Sequence, residues 1–308
     1  MSRNTVLPRP LRRGDCIGLF SPAGPVRDEN RVAAGIRVLH DLGFRTRQIQ
    51  GTGGNHDYLA ADDRTRVEEL HALWADDDIQ ALMAVRGGYG CLRIIDRLDL
   101  ALIRSRPKLL IGFSDVTVLL NAISQQTGLV TVHGPVLTTL PNCDRASLEA
   151  LTALLGGGLH EYPFPRQVEV LRPGKASGVL RGGNLATLAH LLATPWEITW
   201  DGALLFLEDT GEPMYKIDRM LTQLACGGRL ANLAGLILGT FDSGEAENQS
   251  RLQEQVWQRV LELTANAGYP VVGGFPAGHR KVNLPLPIGA DATLDTGSGR
   301  LLFSIHYE

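Results

Sequence analysis

Ser114 lies in the stretch Ile111-Gly112-Phe113-Ser114-Asp115, where a serine hydroxyl could act as a nucleophile. The apolar residues 109–111 predict a buried strand and residues 115–124 predict a helix, so Ser114 would occupy the sharp turn between them. The amide of Asp115 would then lie at a helix N-terminus, where unpaired N–H groups favour an oxyanion. This arrangement is typical of a nucleophile elbow. The second glycine of Gly-x-Ser-x-Gly is missing, which leaves a simple helix-capping role open.

A serine nucleophile needs a base, and the base needs a carboxylate that orients it. Of the eight histidines, His133 and His279 each end a short apolar run beside a glycine. Glu208 directly follows the apolar run 203–207, where an unpaired charge is costly. From these features alone, either histidine could face a cleft, and Glu208 could equally be a solvated strand end. The Gly87–Gly88 pair could supply a second oxyanion amide or form a plain tight turn.

The elements that must position these residues alternate between strand and helix in the first half of the chain. Helical periods separate four apolar runs, at residues 16–20, 79–85, 109–111 and 129–133. This alternation predicts a doubly wound parallel sheet. Ligands of such sheets bind at the carboxyl ends of the strands, where Gly87, Ser114 and His133 fall.

The pattern changes after residue 141, where a Gly156–Gly158 run and several prolines interrupt it. We predict an α/β fold of two domains, with an N-terminal domain at 1–158, a linker with some irregular strand at 159–178 and a C-terminal α/β domain at 179–308. The first domain would contribute Ser114 and the second Glu208 and His279.

Composition, charge and cysteine spacing argue against several classes of protein. The 308 residues are 44% hydrophobic and carry a net charge of −3, so nothing indicates a nucleic-acid partner. We see no bilayer-spanning run and no apolar segment typical of a signal peptide near the N-terminus. The four cysteines lack Cys-x-x-Cys spacing, which predicts reduced thiols in a cytoplasmic protein and neither a zinc site nor another metal.

Several short motifs follow one another over nearly the whole length. They are Gly14-Asp-Cys-Ile-Gly18 with Ser21-Pro22, Arg86-Gly-Gly-Tyr-Gly90, Ile111-Gly-Phe-Ser-Asp115, His133-Gly-Pro135, Gly183-Asn-Leu185, Phe206-Leu-Glu-Asp209, Tyr215-Lys-Ile-Asp-Arg219 and Gly278-His279. Through them the chain resembles the LD-carboxypeptidase family of serine peptidases, which includes murein tetrapeptide carboxypeptidases and microcin-immunity peptidases.

The resemblance implies a triad of Ser114 as nucleophile, His279 as general base and acid, and Glu208 as orienting carboxylate. It implies an oxyanion hole formed by the backbone amides of Gly88 and Asp115. It leaves His133 a structural or pocket-wall role.

The resemblance also implies the wider setting of the protein. The N-terminal domain would be flavodoxin- or amidotransferase-like and the C-terminal domain a smaller, swivelling one. The substrate would be a murein peptide that loses its terminal D-alanine during peptidoglycan recycling, without a cofactor, and the protein would be a homodimer. The alternative substrates within the family are aminoacyl-adenylate mimics. The segment 212–219 looks more like the murein enzymes.

A carboxypeptidase also needs a cation for the free carboxylate of its substrate, and arginine is the usual residue. Arg86 beside the glycine pair and Arg280 beside His279 are candidates from their positions, although both could be ordinary surface arginines. Other readings of the residues are a cysteine nucleophile at Cys91, a non-catalytic small-molecule binding protein, and a dinucleotide-dependent oxidoreductase. The last is disfavoured because position 93 is Arg where Gly-x-Gly-x-x-Gly needs glycine.

Overall fold

The computed structural model describes residues 5–48, 57–244 and 249–305. The helices are α1 (Glu29–Asp41), α2 (Asp63–Ala75), α3 (Cys91–Ile94), α4 (Leu100–Ser105), α5 (Thr117–Thr127), α6 (Arg145–Leu155), α7 (Leu185–Ala189), α8 (Met214–Cys226) and α9 (Gln249–Leu263). The strands are β1 (Cys16–Phe20), β2 (Arg45–Gln48), β3 (Ile79–Ala84), β4 (Leu109–Gly112), β5 (Thr131–His133), β6 (Glu161–Pro163), β7 (Glu169–Arg172), β8 (Lys175–Asn184), β9 (Ala203–Thr210), β10 (Gly235–Asp242), β11 (Val271–Gly273), β12 (Leu286–Ile288), β13 (Asp291–Asp295) and β14 (Arg300–Ser304). None of the described helices is both long and apolar enough to cross a membrane.

The first sheet has the strand order β12-β5-β4-β3-β1-β2. Strands β1 to β5 run parallel, and their order 2-1-3-4-5 is that of flavodoxin-like doubly wound folds. Strands β1, β4 and β5 are buried along their whole length, as a parallel sheet covered on both faces requires. The predicted parallel sheet is therefore confirmed.

The second sheet has the order β6-β14-β13-β8-β9-β10-β11-β7. Its centre, β8 to β11, is parallel, and antiparallel strands flank it on both sides. The segment 159–178, interpreted from sequence as a linker with irregular strand, contains both edge strands of this sheet, β6 and β7. The two-domain α/β class is confirmed, whereas the domain bounds stay a prediction.

The two halves of the molecule are joined beside the turn that carries Ser114. The side chain of Asn121 on α5 donates from Nδ2 to the oxygen of Gly182 at 2.8 Å, and its Oδ1 accepts from the Gly182 amide at 3.0 Å. Gly183 lies so close to α5 that a Cβ there would meet Thr117 Oγ1 at 2.6 Å. Since α5 follows Ser114 and β8 neighbours β9, these contacts fix the Ser114 turn relative to the strand that carries Glu208.

After the glycine turn, the short helix α3 is followed by a 3₁₀ turn at Ile95–Arg97. The position of Glu208 differs from the sequence expectation. Strand β9 continues through Thr210, so Glu208 lies within the strand rather than after its end. Strand β9 lies between β8 and β10, and the side chain of Glu208 is completely buried.

Candidate active site

Ser114 occupies a strained turn between β4 and α5. Strand β4 ends at Gly112, and Ser114 has a φ of 63°, in the left-handed region that costs a non-glycine residue about 1–3 kcal/mol. A 3₁₀ turn at Ser114–Val116 leads into α5. A Cβ on Gly112 would lie 2.6 Å from Val116 Cγ1, so only glycine permits this sharp bend. The backbone thus has the geometry of a nucleophile elbow, as predicted.

The glycine turn after β3 packs directly on Ser114. A Cβ on Gly87 would lie 2.8 Å from Ser114 Cβ and 3.0 Å from its Oγ. Gly88 follows with a φ of 130°, and its amide donates to no protein acceptor among the described residues. The amide of Asp115, in the first turn after the elbow, has no intrahelical acceptor. Both amides predicted for the oxyanion hole therefore lie beside the serine.

Two arginines hold the glycine turn in place. Arg86 donates from Nη1 to the oxygen of Pro25 at 2.8 Å and from Nε to that of Gly87 at 3.1 Å. Beneath it, the buried Arg66 donates to the oxygen of Gly90 at 2.9 Å and also to that of Pro22. Arg66 was missed from sequence, because nothing in the sequence distinguishes it from the other arginines on helices.

Glu208 and His279 form a hydrogen-bonded pair. Nδ1 of His279 and Oε2 of Glu208 are 2.7 Å apart, and the Glu208 side chain is 0% exposed against 19% for His279. Burial alone would raise the pKa of Glu208, but the charge of His279 and its hydrogen bond lower it below the usual value. A carboxylate on Nδ1 selects the tautomer that leaves Nε2 able to accept a proton.

The close approach of this pair depends on Gly278. Its φ is 130°, and a Cβ there would meet Oε2 of Glu208 at 2.9 Å and Thr240 Oγ1 at 2.3 Å. The Gly278 amide donates to Oδ1 of the buried Asn283 at 3.0 Å, which fixes the chain just before His279.

His133 lies next to the pair and is completely buried. Its ring centroid is 4.9 Å from that of Phe206 and 5.9 Å from that of Phe113. Burial lowers the pKa of His133 to about 4, so its imidazole is neutral at physiological pH. His133 does not line the cleft, so its completely buried aromatic setting suits a structural role rather than a pocket-wall role or that of the base.

A cleft of about 510 Å³ brings the predicted residues together. Ser114, Gly88, Arg86 and His279 line it, and Glu208 stands behind His279. Its other lining residues are Val26, Arg27, Asp28, Arg31, Gly87, Phe113, Val136, Thr138 and Thr139. The arrangement places a serine, an imidazole and free amides around one space, which is the equipment for acyl transfer.

Arg280, the second arginine suggested from sequence, does not line this cleft. Its Nε is 3.0 Å from Oδ2 of Asp242, and the side chain borders an adjoining cavity of about 430 Å³. The cysteine alternative also loses support, since burial raises the pKa of the Cys91 thiol well above its usual value. Within the described ranges, no group of three or more His, Cys, Asp or Glu side chains is placed to hold a metal ion.

Comparisons with known proteins cover most of the chain. Residues 17–134 match the model of the LD-carboxypeptidase N-terminal domain, and residues 177–294 match that of the C-terminal domain. The chain is 38% identical over 296 residues to the probable murein peptide carboxypeptidase of Bacillus subtilis (strain 168), which covers 94% of this chain and 91% of that protein.

Two further proteins are similar to this chain over most of its length. Identity to the murein tetrapeptide carboxypeptidase of Pseudomonas aeruginosa is 32% over 293 residues, covering 91% of this chain and 92% of that protein. The solved structure of the microcin C7 self immunity protein MccF in its wild-type apo state matches with a TM-score of 0.88 at 25% identity, covering 98% and 99% of the two chains.

Proposed function

This chain belongs to the LD-carboxypeptidase family, and we propose that it is a serine carboxypeptidase that releases the terminal D-alanine from murein tetrapeptides. The family models and the carboxypeptidase relatives support the reaction class. One observation carries the serine mechanism: His279, bonded at 2.7 Å to a fully buried Glu208, shares a cleft with the strained Ser114.

The proposed mechanism is acyl transfer in two halves. His279 takes the Ser114 proton on Nε2, and the serine oxygen attacks the carbonyl carbon before the terminal D-alanine. The amides of Gly88 and Asp115 stabilise the oxyanion. His279 then gives its proton to the leaving amine, and D-alanine departs. A water molecule, deprotonated by the same imidazole, hydrolyses the acyl-enzyme and restores Ser114.

The role of Glu208 in this scheme is electrostatic. His279 becomes an imidazolium when it accepts the serine proton, and a buried carboxylate 2.7 Å away stabilises that cation. Because Glu208 is covered completely, water does not screen the attraction.

The proposal extends to the setting of the reaction. A murein peptide substrate fits a role in peptidoglycan recycling by a cytoplasmic protein, and we propose a homodimer. The described cysteines are free thiols, in keeping with a reducing compartment.

A second candidate function follows from the structural similarity to MccF. In that case the same serine would act on aminoacyl-adenylate mimics. The chemistry at the acyl carbon would be unchanged, and only the leaving group would differ.

The deciding experiment measures D-alanine release from a murein tetrapeptide by the wild type and S114A. We expect release by the wild type and its loss in S114A, with S105A, an exposed serine on α4, behaving as the wild type. Release that survives in S114A would refute the triad. If the folded wild type releases nothing, aminoacyl-adenylate mimics are the next substrates to test. A serine-directed acylating reagent should label Ser114 in an enzyme and should not label it in a binding protein.

A further inference from the structure

An enzyme that removes only the last residue of a peptide must recognise the free carboxylate of that residue. One residue spans at most about 3.6 Å of extended chain, so this carboxylate lies close to the carbonyl that Ser114 attacks. The cation that binds it therefore has to reach into the same cleft as Ser114.

Both arginines suggested from sequence already have partners within the protein. Arg86 donates from Nη1 to the oxygen of Pro25 and from Nε to that of Gly87, and these bonds stabilise the glycine turn. Arg280 is paired with Asp242 and borders the adjoining cavity, whose lining does not include Ser114. Arg280 therefore lies outside the cleft of Ser114, and Arg86, which does line it, already donates to two backbone oxygens.

Two other guanidiniums remain at the cleft. Arg27 precedes α1 and Arg31 lies in its first turn, and both side chains are exposed and line the cleft with Ser114 and His279. Arg27 has no ion-pair or hydrogen-bond partner among the residues that the structure describes. We propose that Arg27 and Arg31 bind the terminal carboxylate of the substrate, a specificity role that rests on the proposed carboxypeptidase function.

The charges around Arg27 and Arg31 favour the binding of an anion at this part of the cleft. Asp28 is the one carboxylate among the residues lining the cleft, and it is already used: its Oδ1 accepts from the Asn30 amide at 3.0 Å as the N-cap of α1. Its Oδ2 is 3.6 Å from Nε of Arg31, a loose pair between two exposed groups that a substrate carboxylate can replace. The N-terminal end of the 13-residue α1 adds a partial positive charge on the same side.

The test compares two peptides that differ in one group, a murein tetrapeptide ending in D-alanine and its twin ending in D-alaninamide. A charge-assisted contact to the carboxylate predicts that the wild type prefers the free acid by about ten- to a hundredfold in kcat/KM. We expect R27Q and R31Q each to lose most of this preference through a higher KM for the acid, with the amide cleaved as before. R27K should keep part of it.

R37Q is the matched control, since Arg37 is exposed on the same helix but does not line the cleft. It should retain the full preference for the acid. A second comparison is K281Q, because Lys281 lines the adjoining cavity, which His279 also borders.

The outcomes are distinct. Unchanged preference for the acid in R27Q, R31Q and the double variant would overturn this inference while leaving the carboxypeptidase function intact. Loss of the preference in K281Q instead would place the carboxylate in the adjoining cavity and would also overturn it. No D-alanine or D-alaninamide from the folded wild type would refute the proposed function itself, and the carboxylate site with it.

Discussion

The carboxylate of Asp115 accepts a hydrogen bond from the backbone amide of Cys91 at 2.8 Å. Asp115 belongs to the turn that carries Ser114, whereas Cys91 begins α3 just after the glycine turn. The bond therefore links the two turns whose amides, those of Asp115 and Gly88, are proposed to hold the oxyanion. The spacing between these amides depends on a side chain that need not touch the substrate.

We expect D115A to lower kcat by about ten- to a hundredfold with little change in KM, because a charge-assisted hydrogen bond contributes about 1.5–3 kcal/mol. The loss should appear in kcat because the oxyanion forms only in the transition state. D115N, whose amide oxygen can still accept from Cys91, should recover much of the rate. Steady-state kinetics of D-alanine release measures both variants, and a D115A enzyme with wild-type kcat would show that the link is dispensable.

Gly87 offers a steric test of Ser114 as the proposed nucleophile. Its backbone is outside the left-handed region, so alanine is conformationally allowed, but the added Cβ would lie 2.8 Å from Ser114 Cβ. We expect G87A to fold normally and to lose at least about tenfold in kcat/KM, since displacements near 1 Å at a reacting group are costly.

The control for this variant is G268A, because a Cβ on Gly268 would meet nothing within 4 Å. Thermal unfolding of both variants should resemble that of the wild type, while only G87A loses turnover. Equal turnover in G87A and G268A would contradict the placement of Ser114 against the glycine turn.

Parts of this fold were predictable because burial leaves a mark on the sequence. Strand β4 and the turn at Ser114 follow from a continuous apolar run that ends in glycine, as a strand covered on both faces requires. Strand β2 was missed because its residues Arg45–Gln48 are polar and lie at a sheet edge. Strand β12 was missed since its partner β5 is about 150 residues away in the chain, which no local pattern reveals.

The residues of the candidate site were likewise predictable only where the sequence around them has a distinctive pattern. Ser114, Glu208 and His279 each follow an apolar run, but the residues alone left His133 as good a candidate as His279, and only the family resemblance separated them. Arg27 and Arg31 carry no such mark, because exposed arginines at the start of a helix are common. A usable signal was their place just after β1, since ligands of a 2-1-3-4-5 sheet bind where the chain reverses between β1 and β3.

The pH dependence of the reaction should report the Glu208–His279 pair. Burial alone would lower the pKa of His279, but the charge and hydrogen bond of Glu208 outweigh it and raise the pKa above the usual value of about 6.5. The base must be neutral to accept the serine proton. We therefore expect kcat/KM to rise with pH through this raised pKa, with the midpoint of its acid limb above about 6.5.

E208Q removes the charge and keeps the shape. The acid limb should move to lower pH, because imidazolium is no longer stabilised, and the plateau should fall by about a thousandfold or more. E68Q, which changes an exposed carboxylate on α2, should leave the profile unaltered. An acid limb at the same pH in E208Q and the wild type would mean that His279 is not the titrating base.

Asn121 is expected to hold the two halves of the site in register. Its side chain makes a reciprocal pair of hydrogen bonds with the backbone of Gly182, and all these groups are buried. In N121A the amide and the oxygen of Gly182 would lose these partners, which should lower the free energy of unfolding by about 2–4 kcal/mol. Turnover should fall as well, because α5 carries the Ser114 turn and β8 flanks the strand of Glu208.

The control is N232A, which changes an exposed asparagine and should keep the free energy of unfolding within about 0.5 kcal/mol of the wild type. Urea denaturation followed by tryptophan fluorescence measures the stability, and D-alanine release on the same samples measures the turnover. An N121A protein with the wild-type urea midpoint and full turnover would show that other contacts hold α5 against β8.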